Sequence, residues 1–162
     1  MLFRAHYQNG YVTHDLEGAL EIMSSRYGLQ DFSRYDADVI VDTPEGRQPL
    51  QMKIAAGWSG GLNIEMMQPV SGYIGPLTSM LPGDTSDPVP RLHHIALRRD
   101  DLAEMRREIE QCGFPLAFGG EPDGMVFAYL DARSALGHYL ELVWKAPGGW
   151  EKIGWPEDRP VF

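Results

Sequence analysis

Two glutamates stand where a buried strand would carry an apolar residue. Glu65 lies in "LNIEMM" and Glu141 in "HYLELVW", each run alternating as a half-buried β-strand does. Leu62, Ile64 and Met66 share one face in the first, with Asn63, Glu65 and Met67 on the other; Leu140, Leu142 and Trp144 oppose Tyr139, Glu141 and Val143 in the second. A carboxylate buried there unpaired costs several kcal/mol, so each needs a partner or water. In "RLHHIALRRDDL" strict alternation puts His93, Ile95 and Leu97 on one face, expected to pack on a helix. His94, Ala96 and Arg98 fall on the other, where a small residue beside a histidine suits a cavity wall. A divalent metal would satisfy both glutamates, with His94 and Gln8 completing the set. One imidazole and three oxygen donors, with no thiolate, suit Zn, Ni, Co, Mn or Fe. The alternative is that the glutamates lie on a solvated antiparallel face.

The elements that must position these residues occur twice. "QNGYVTHDLEGALEIMSSRYGL" and "HIALRRDDLAEMRREIEQCGF" each run from a short β-prone segment through Asp-Leu into an amphipathic helix that stops at glycine. Gln8 takes the place of His94, and Gly10 that of Ala96. Asp15 and Asp101 are expected to cap their helices through the carboxylate, and Gly28 and Gly113 to end them in the left-handed conformation. Strand-like runs follow each helix, so each half reads β-α-β-β-β. The expected organisation is a first module at 1–70, a Gly/Pro-rich linker at 71–90, a second module at 91–146 and a tail at 147–162. Halves too small to be independent should pool their strands. The tail's Trp150, Trp155 and Phe162 should be covered, on this domain or on a partner.

Composition narrows the function. At 162 residues and 43% hydrophobic, the chain has the makeup of a folded domain rather than a disordered one. A net charge of −9 argues against nucleic acid as a partner. No apolar run is long enough for a membrane span and no signal-peptide pattern opens the chain, so a cytoplasmic protein is expected. Cys112 is the lone cysteine and can form no internal disulfide.

On "YVTHDLEGAL", "IEMMQPVSG", "LHHIALRRDDL" and "FAYLDARSALGHYLELV", in that order, the chain resembles the vicinal oxygen chelate superfamily. That group includes glyoxalase I, methylmalonyl-CoA epimerase, extradiol dioxygenases and bleomycin-resistance proteins. The resemblance runs from about Gln8 to Val143 and is strongest to the glyoxalase-like branch that holds the epimerase. It implies an α+β fold in which paired βαβββ modules form a cupped mixed sheet around one metal, often in a homodimer. Carried over residue by residue, the ligands are Gln8, Glu65, His94 and Glu141, a set like that of glyoxalase I. The epimerase typically has His in place of Gln8 and Gln in place of Glu65. His6, on the same strand face as Gln8, is an alternative ligand. A glutathione-binding glyoxalase would show an arginine near Val12 and an asparagine near Pro69, and this chain has neither.

The implied chemistry is proton transfer at a carbon α to a carbonyl through a metal-stabilised enediolate, an isomerase, epimerase or lyase reaction on a small carbonyl compound. Glu141 is the expected base and Glu65 the next candidate. Met67, Val143 and Tyr139 could line the cavity, Trp58, Tyr73 and Tyr129 could wall an apolar substrate, and Arg98 could hold a substrate anion. Two other classes stand beside this one. An Fe(II) ring-cleaving dioxygenase needs two histidines and one carboxylate. A drug-sequestering binding protein needs no metal.

Overall fold

Period-two runs become strands and period-3.6 runs become helices over residues 2–156, which the computed structural model describes. The first half holds β1 (His6–Val12), α1 (Leu16–Tyr27), β2 (Ser33–Thr43), β3 (Gly46–Ser59) and β4 (Leu62–Gly72). After a short α2 (Gly75–Thr78) come β5 (Arg91–Arg99), α3 (Leu102–Gln111), β6 (Leu116–Gly120), β7 (Met125–Leu130), α4 (Arg133–Leu136) and β8 (Tyr139–Lys145). A last turn of helix, α5 (Gly149–Lys152), begins the tail. No helix among the described residues is long and apolar enough to cross a membrane.

The class is α+β and the sheet is mixed, as expected, and its cup closes fully on itself. Its eight strands close in the order β1-β4-β3-β2-β6-β7-β8-β5. The pairs β1–β4 and β5–β8 are parallel and the rest antiparallel. Two seams join the halves. Along β1–β5 the ladder runs from His6↔Leu97 to Val12↔Arg91. Between β2 and β6 a single register pair, Asp42↔Gly119, shuts the sheet on itself. Closure removes the free edges that an open cup would leave.

The outward faces of the strands carry the helices. Leu16, Leu20 and Met23 of α1 pack on Ala55, Ile64 and Met66. Met105 of α3 packs with Leu97, Leu140 and Leu142. Burying a side chain of this size stabilises by roughly 1.5–3 kcal/mol, and these contacts fix the opposite faces of β4, β5 and β8 towards the barrel interior. The Asp101 carboxylate caps α3, accepting from the Glu104 N–H at 2.8 Å. Asp15 makes no such bond at α1, against expectation. There the Gln68 side chain, reaching over from β4, accepts from the Leu16 N–H at 2.9 Å. Gly28 and Gly113 adopt left-handed φ values of 70° and 77°.

The Gly/Pro-rich stretch after β4 is not a free tether. Its Leu77 is fully buried in the interior cluster, and Tyr73 meets Phe118 edge-on. It follows the Gly72 end of β4, while the tail packs on Trp58, beside the opposite end of the β3–β4 hairpin. The tail residues 157–162, Phe162 among them, lie outside the described residues.

Candidate active site

Two β-bulges in the β1–β5 ladder decide what faces the interior. Gln8 pairs with Ala96 and His6 with Leu97, so Tyr7 is one residue too many on β1. Gly10 pairs with His94 and Tyr11 with Leu92, so His93 is the extra residue on β5. A bulge sets two consecutive residues against one and breaks the alternation of faces. Tyr7 and Gln8 consequently both line the cavity.

His93 and His94 are both fully buried and turn towards each other, with Nδ1 to Nδ1 at 3.1 Å. This corrects the strict alternation that sent His93 to the helix face. Its ring stacks on Tyr139 at 4.6 Å and lies 5.7 Å from Tyr129, whereas Ile95 and Leu97 do pack in the α3 cluster. The bulge also removes His6 from the inner face. His6 is exposed, its Nε2 lying 3.1 Å from the Gln8 carbonyl and 2.9 Å from Asn9 Oδ1.

Gln8, Glu65, His94 and Glu141 come together around the Nε2 of His94. Glu141 Oε2 is 3.3 Å from that nitrogen, Gln8 Oε1 3.4 Å and Glu65 Oε2 3.7 Å. Asn63 accepts from Gln8 Nε2 at 2.9 Å, which turns the Gln8 oxygen towards the cluster. The ring of His94 lies over Gly10, where a Cβ would come within 1.8 Å of His94 Cε1. For Nε2 to offer a lone pair, Nδ1–H must donate to His93 Nδ1. His93 then carries its own proton on Nε2, which has no hydrogen-bond partner; the Pro76 carbonyl is near it but outside hydrogen-bonding geometry.

Burial dominates the electrostatics. It raises the pKa of both Glu65 and Glu141, with the charge of Glu141 raising Glu65 further. The nearby Tyr129 hydroxyl and the Lys145 ammonium pull Glu141 part of the way back. Burial, with a smaller contribution from His138, pushes the His94 imidazole down to about 3. A neutral imidazole and carboxylates that share a dry site form a set that can hold either protons or a cation.

The donors fit a divalent ion. Ligands about 2.0–2.2 Å from one ion stand about 3.0–3.4 Å apart at octahedral to tetrahedral angles, close to the three separations from His94 Nε2. Among the described residues, no group of three or more His, Cys, Asp and Glu side chains is already drawn together as a metal centre. The amide oxygen of Gln8 is the remaining donor.

The cluster borders a cavity of about 550 Å³. Met52, Ile54, Met67, Phe127 and Val143 make much of its wall apolar, and Trp58 and Tyr129 also line it. From the tail, Lys152, Ile153 and Gly154 form part of the rim, where Trp58 Nε1 donates to the Ile153 carbonyl at 2.7 Å. Three expected site residues lie elsewhere. Tyr139 is buried behind the site against His93, its hydroxyl 3.4 Å from Ser79. The Arg98 guanidinium sits over Trp155 and Trp150, at 4.3 and 4.8 Å from their centroids, and donates to Asp100. Tyr73 belongs to the interior cluster away from the cavity. Sequence reasoning passed over Asn63, Tyr7, His93 and Lys145. Asn63 and Lys145 had a signal, since both share the inward phase of the glutamates; Tyr7 and His93 had none, because nothing local announces a bulge.

The family model described as Glyoxalase/Bleomycin resistance protein/Dioxygenase superfamily matches residues 7–129. Among solved structures, a methylmalonyl-CoA epimerase from Mycobacterium tuberculosis is similar with a TM-score of 0.58 and 20% identity, over 88% of this chain and 89% of that one. A Streptomyces coelicolor methylmalonyl-CoA epimerase in complex with 2-nitronate-propionyl-CoA gives 0.56 and 20%, over 91% and 97%. A methylmalonyl-CoA epimerase in complex with methylmalonyl-CoA and NH4+ gives 0.53 and 18%, over 89% and 96%. None of the curated proteins compared matches the sequence.

Proposed function

The chain belongs to the Glyoxalase/Bleomycin resistance protein/Dioxygenase superfamily, and we propose that it is a metal-dependent isomerase, epimerase or glyoxalase-like lyase. Its reaction would be proton transfer at a carbon α to a carbonyl. The observation that carries this reading is the gathering of Gln8, Glu65 and Glu141 oxygens within 3.3–3.7 Å of His94 Nε2, beside a mostly apolar cavity. A divalent ion (Zn, Ni, Co, Mn or Fe) bound by these four residues would supply Lewis-acid polarisation of a substrate carbonyl.

Glu141 is the proposed base and Glu65 the second carboxylate of the pair. A base works best when its pKa approaches the working pH, and burial moves both groups in that direction. The Tyr129 hydroxyl lies beside Glu141, the tail and Trp58 border the mouth, and the largely apolar wall keeps the carboxylate pKa raised. Among the described residues, His94 is the one histidine with a ring nitrogen among the carboxylates, since His93 turns Nδ1 to His94 and His6 is exposed. That speaks against the two-histidine iron site of a ring-cleaving dioxygenase. Two buried carboxylates gathered on a neutral imidazole would be a costly feature in a passive binding protein.

The test incubates metal-analysed protein in D₂O with α-keto thioesters, 2-acyl-CoA compounds, hemithioacetals and cyclic ketones, while an electrode follows O₂. The expected outcome is one bound divalent ion per chain and deuterium uptake at an α-carbon without oxygen consumption. Glu141→Gln should slow exchange by about 10²–10⁴-fold. Oxygen uptake on a catechol, with no exchange in any carbonyl compound, would refute the reading.

A further inference from the structure

Lys145 closes the inward row of β8, two and four residues beyond Val143 and Glu141, and lines the same cavity as the two glutamates. Its ammonium touches Met125 Sδ at 3.1 Å and lies 5.7 Å from the centroid of Trp150. Among the described residues it is the one lysine or arginine that is not exposed and yet pairs with no carboxylate. Arg4, Arg91, Arg98, Arg99 and Arg133 all have acidic partners. Lys53, Arg26, Arg107 and Lys152 stand in solvent. A thioether and an indole face replace only part of the hydration that a half-buried cation gives up, so an anion is needed to complete its contacts. Glu65 and Glu141 attract it, but they are engaged around His94.

We infer that Lys145 receives the carboxylate of an anionic carbonyl substrate whose carbonyl end faces Glu141 and Glu65. The inference rests on the proposed proton-transfer reading and narrows its substrate class to keto acids and related acyl acids. The Cα atoms of residues 141 and 145 are about 13 Å apart along an extended strand, room for several carbons between the two ends. A single ammonium beside Met125, Val143 and Trp150 suits a monoanionic carboxylate. A phosphate dianion would call for several more donors, and among the lining residues the other lysine, Lys152, is at the solvent-exposed rim. Lysine is a point charge on a flexible stem, so it can follow acids of differing length.

The experiment measures binding by calorimetry on metal-saturated protein, using the keto acids levulinate, 5-oxohexanoate and 6-oxoheptanoate, each against its methyl ester. For wild type at least one acid should bind about ten- to a hundredfold tighter than its ester, the worth of a hydrogen bond to a charged group. Lys145→Met should abolish the preference and Lys145→Arg should keep most of it. In deuterium exchange, K145M should raise KM by a similar factor and leave kcat within a few-fold. Glu141→Gln should keep the acid preference in binding while losing exchange, which separates the two claims. A Lys145-dependent preference with no exchange in any compound would leave the anion site standing and remove the proton-transfer reading. Equal handling of acid and ester, a preference that survives in K145M, or no binding by any of the three acids would each overturn the anion site.

Discussion

Gly10→Ala should empty the metal site without unfolding the protein. A Cβ at position 10 would lie 1.8 Å from His94 Cε1, against 3.4 Å for ordinary contact, so the two must separate by about 1.6 Å (3.4 minus 1.8). The backbone of residue 10 is paired on both sides, to Glu65 in β4 and to His94 in β5, so the ring is what moves. It has little room, being fully buried with His93 at 3.1 Å and Tyr129 at 4.9 Å between centroids. Metal ligands tolerate about 0.2 Å of displacement, several-fold less than this retreat. The loss in zinc or cobalt affinity should exceed the roughly 10–100-fold that removal of an outer partner costs. Overpacking should destabilise the fold by only roughly 1–3 kcal/mol. Competition with a chromophoric chelator gives the affinity and circular dichroism the fold. Gly75→Ala is the control, since a Cβ there meets nothing within 4 Å. Wild-type metal affinity in G10A would refute the placement of His94 and the role assigned to its Nε2.

His93→Phe keeps the ring stacked on Tyr139 but removes the acceptor for His94 Nδ1–H. Metal affinity should fall about 10–100-fold, and ¹⁵N spectra of His94 should show a mixed tautomer; an unchanged tautomer would count against the contact. In metal-free protein, burial raises Glu65 and Glu141, so the folded state binds more protons than the unfolded chain. Their contribution is present below the unfolded carboxylate range, about 4.3, and is lost as pH rises through the raised folded values. Thermal stability of the metal-free form should therefore decline from acid to alkaline pH, by about 1.36 kcal/mol for every tenfold by which folding tightens a carboxyl's hold on its proton. Glu65→Gln should flatten the decline and bound metal should mask it; a flat profile in the metal-free wild type would argue against the buried pair. Trp58→Phe removes the bond to the Ile153 carbonyl, costing about 0.5–1.5 kcal/mol, and should speed amide exchange at residues 152–155. Homodimer formation, proposed from the resemblance, would be read as twice the chain mass in light scattering.

Alternation on β4 and β8 alone put Glu65 and Glu141 on one side and Ile64, Met66, Leu140 and Leu142 on the other, and the structure has them so. This was legible because a strand's side-chain period is local: helix contacts on one face determine the other. The repeat, the two helices and their glycine stops were legible for the same reason, each being set by residues within a few positions of one another. β6 was not, since "LAFGG" has two glycines and no alternation, and it is a strand because β7 pairs along it.

The phase of the strands, the two modules and the types of donor available were thus all written in the chain's local pattern. Closure of the sheet through Asp42↔Gly119, and the bulges at Tyr7 and His93, came only with the assembled fold. So did the capture of Arg98 by the tail's tryptophans, which leaves Lys145 in the cavity. What divides the two groups is range. A bulge belongs to a pair of strands and not to one, because two residues oppose a single partner only when the partner's own contacts fix where the ladder must resume. His93 and His94 are adjacent in the chain, and strict alternation would part them. They share an interior because β1, more than 80 positions away in sequence, sets the register on both sides of them.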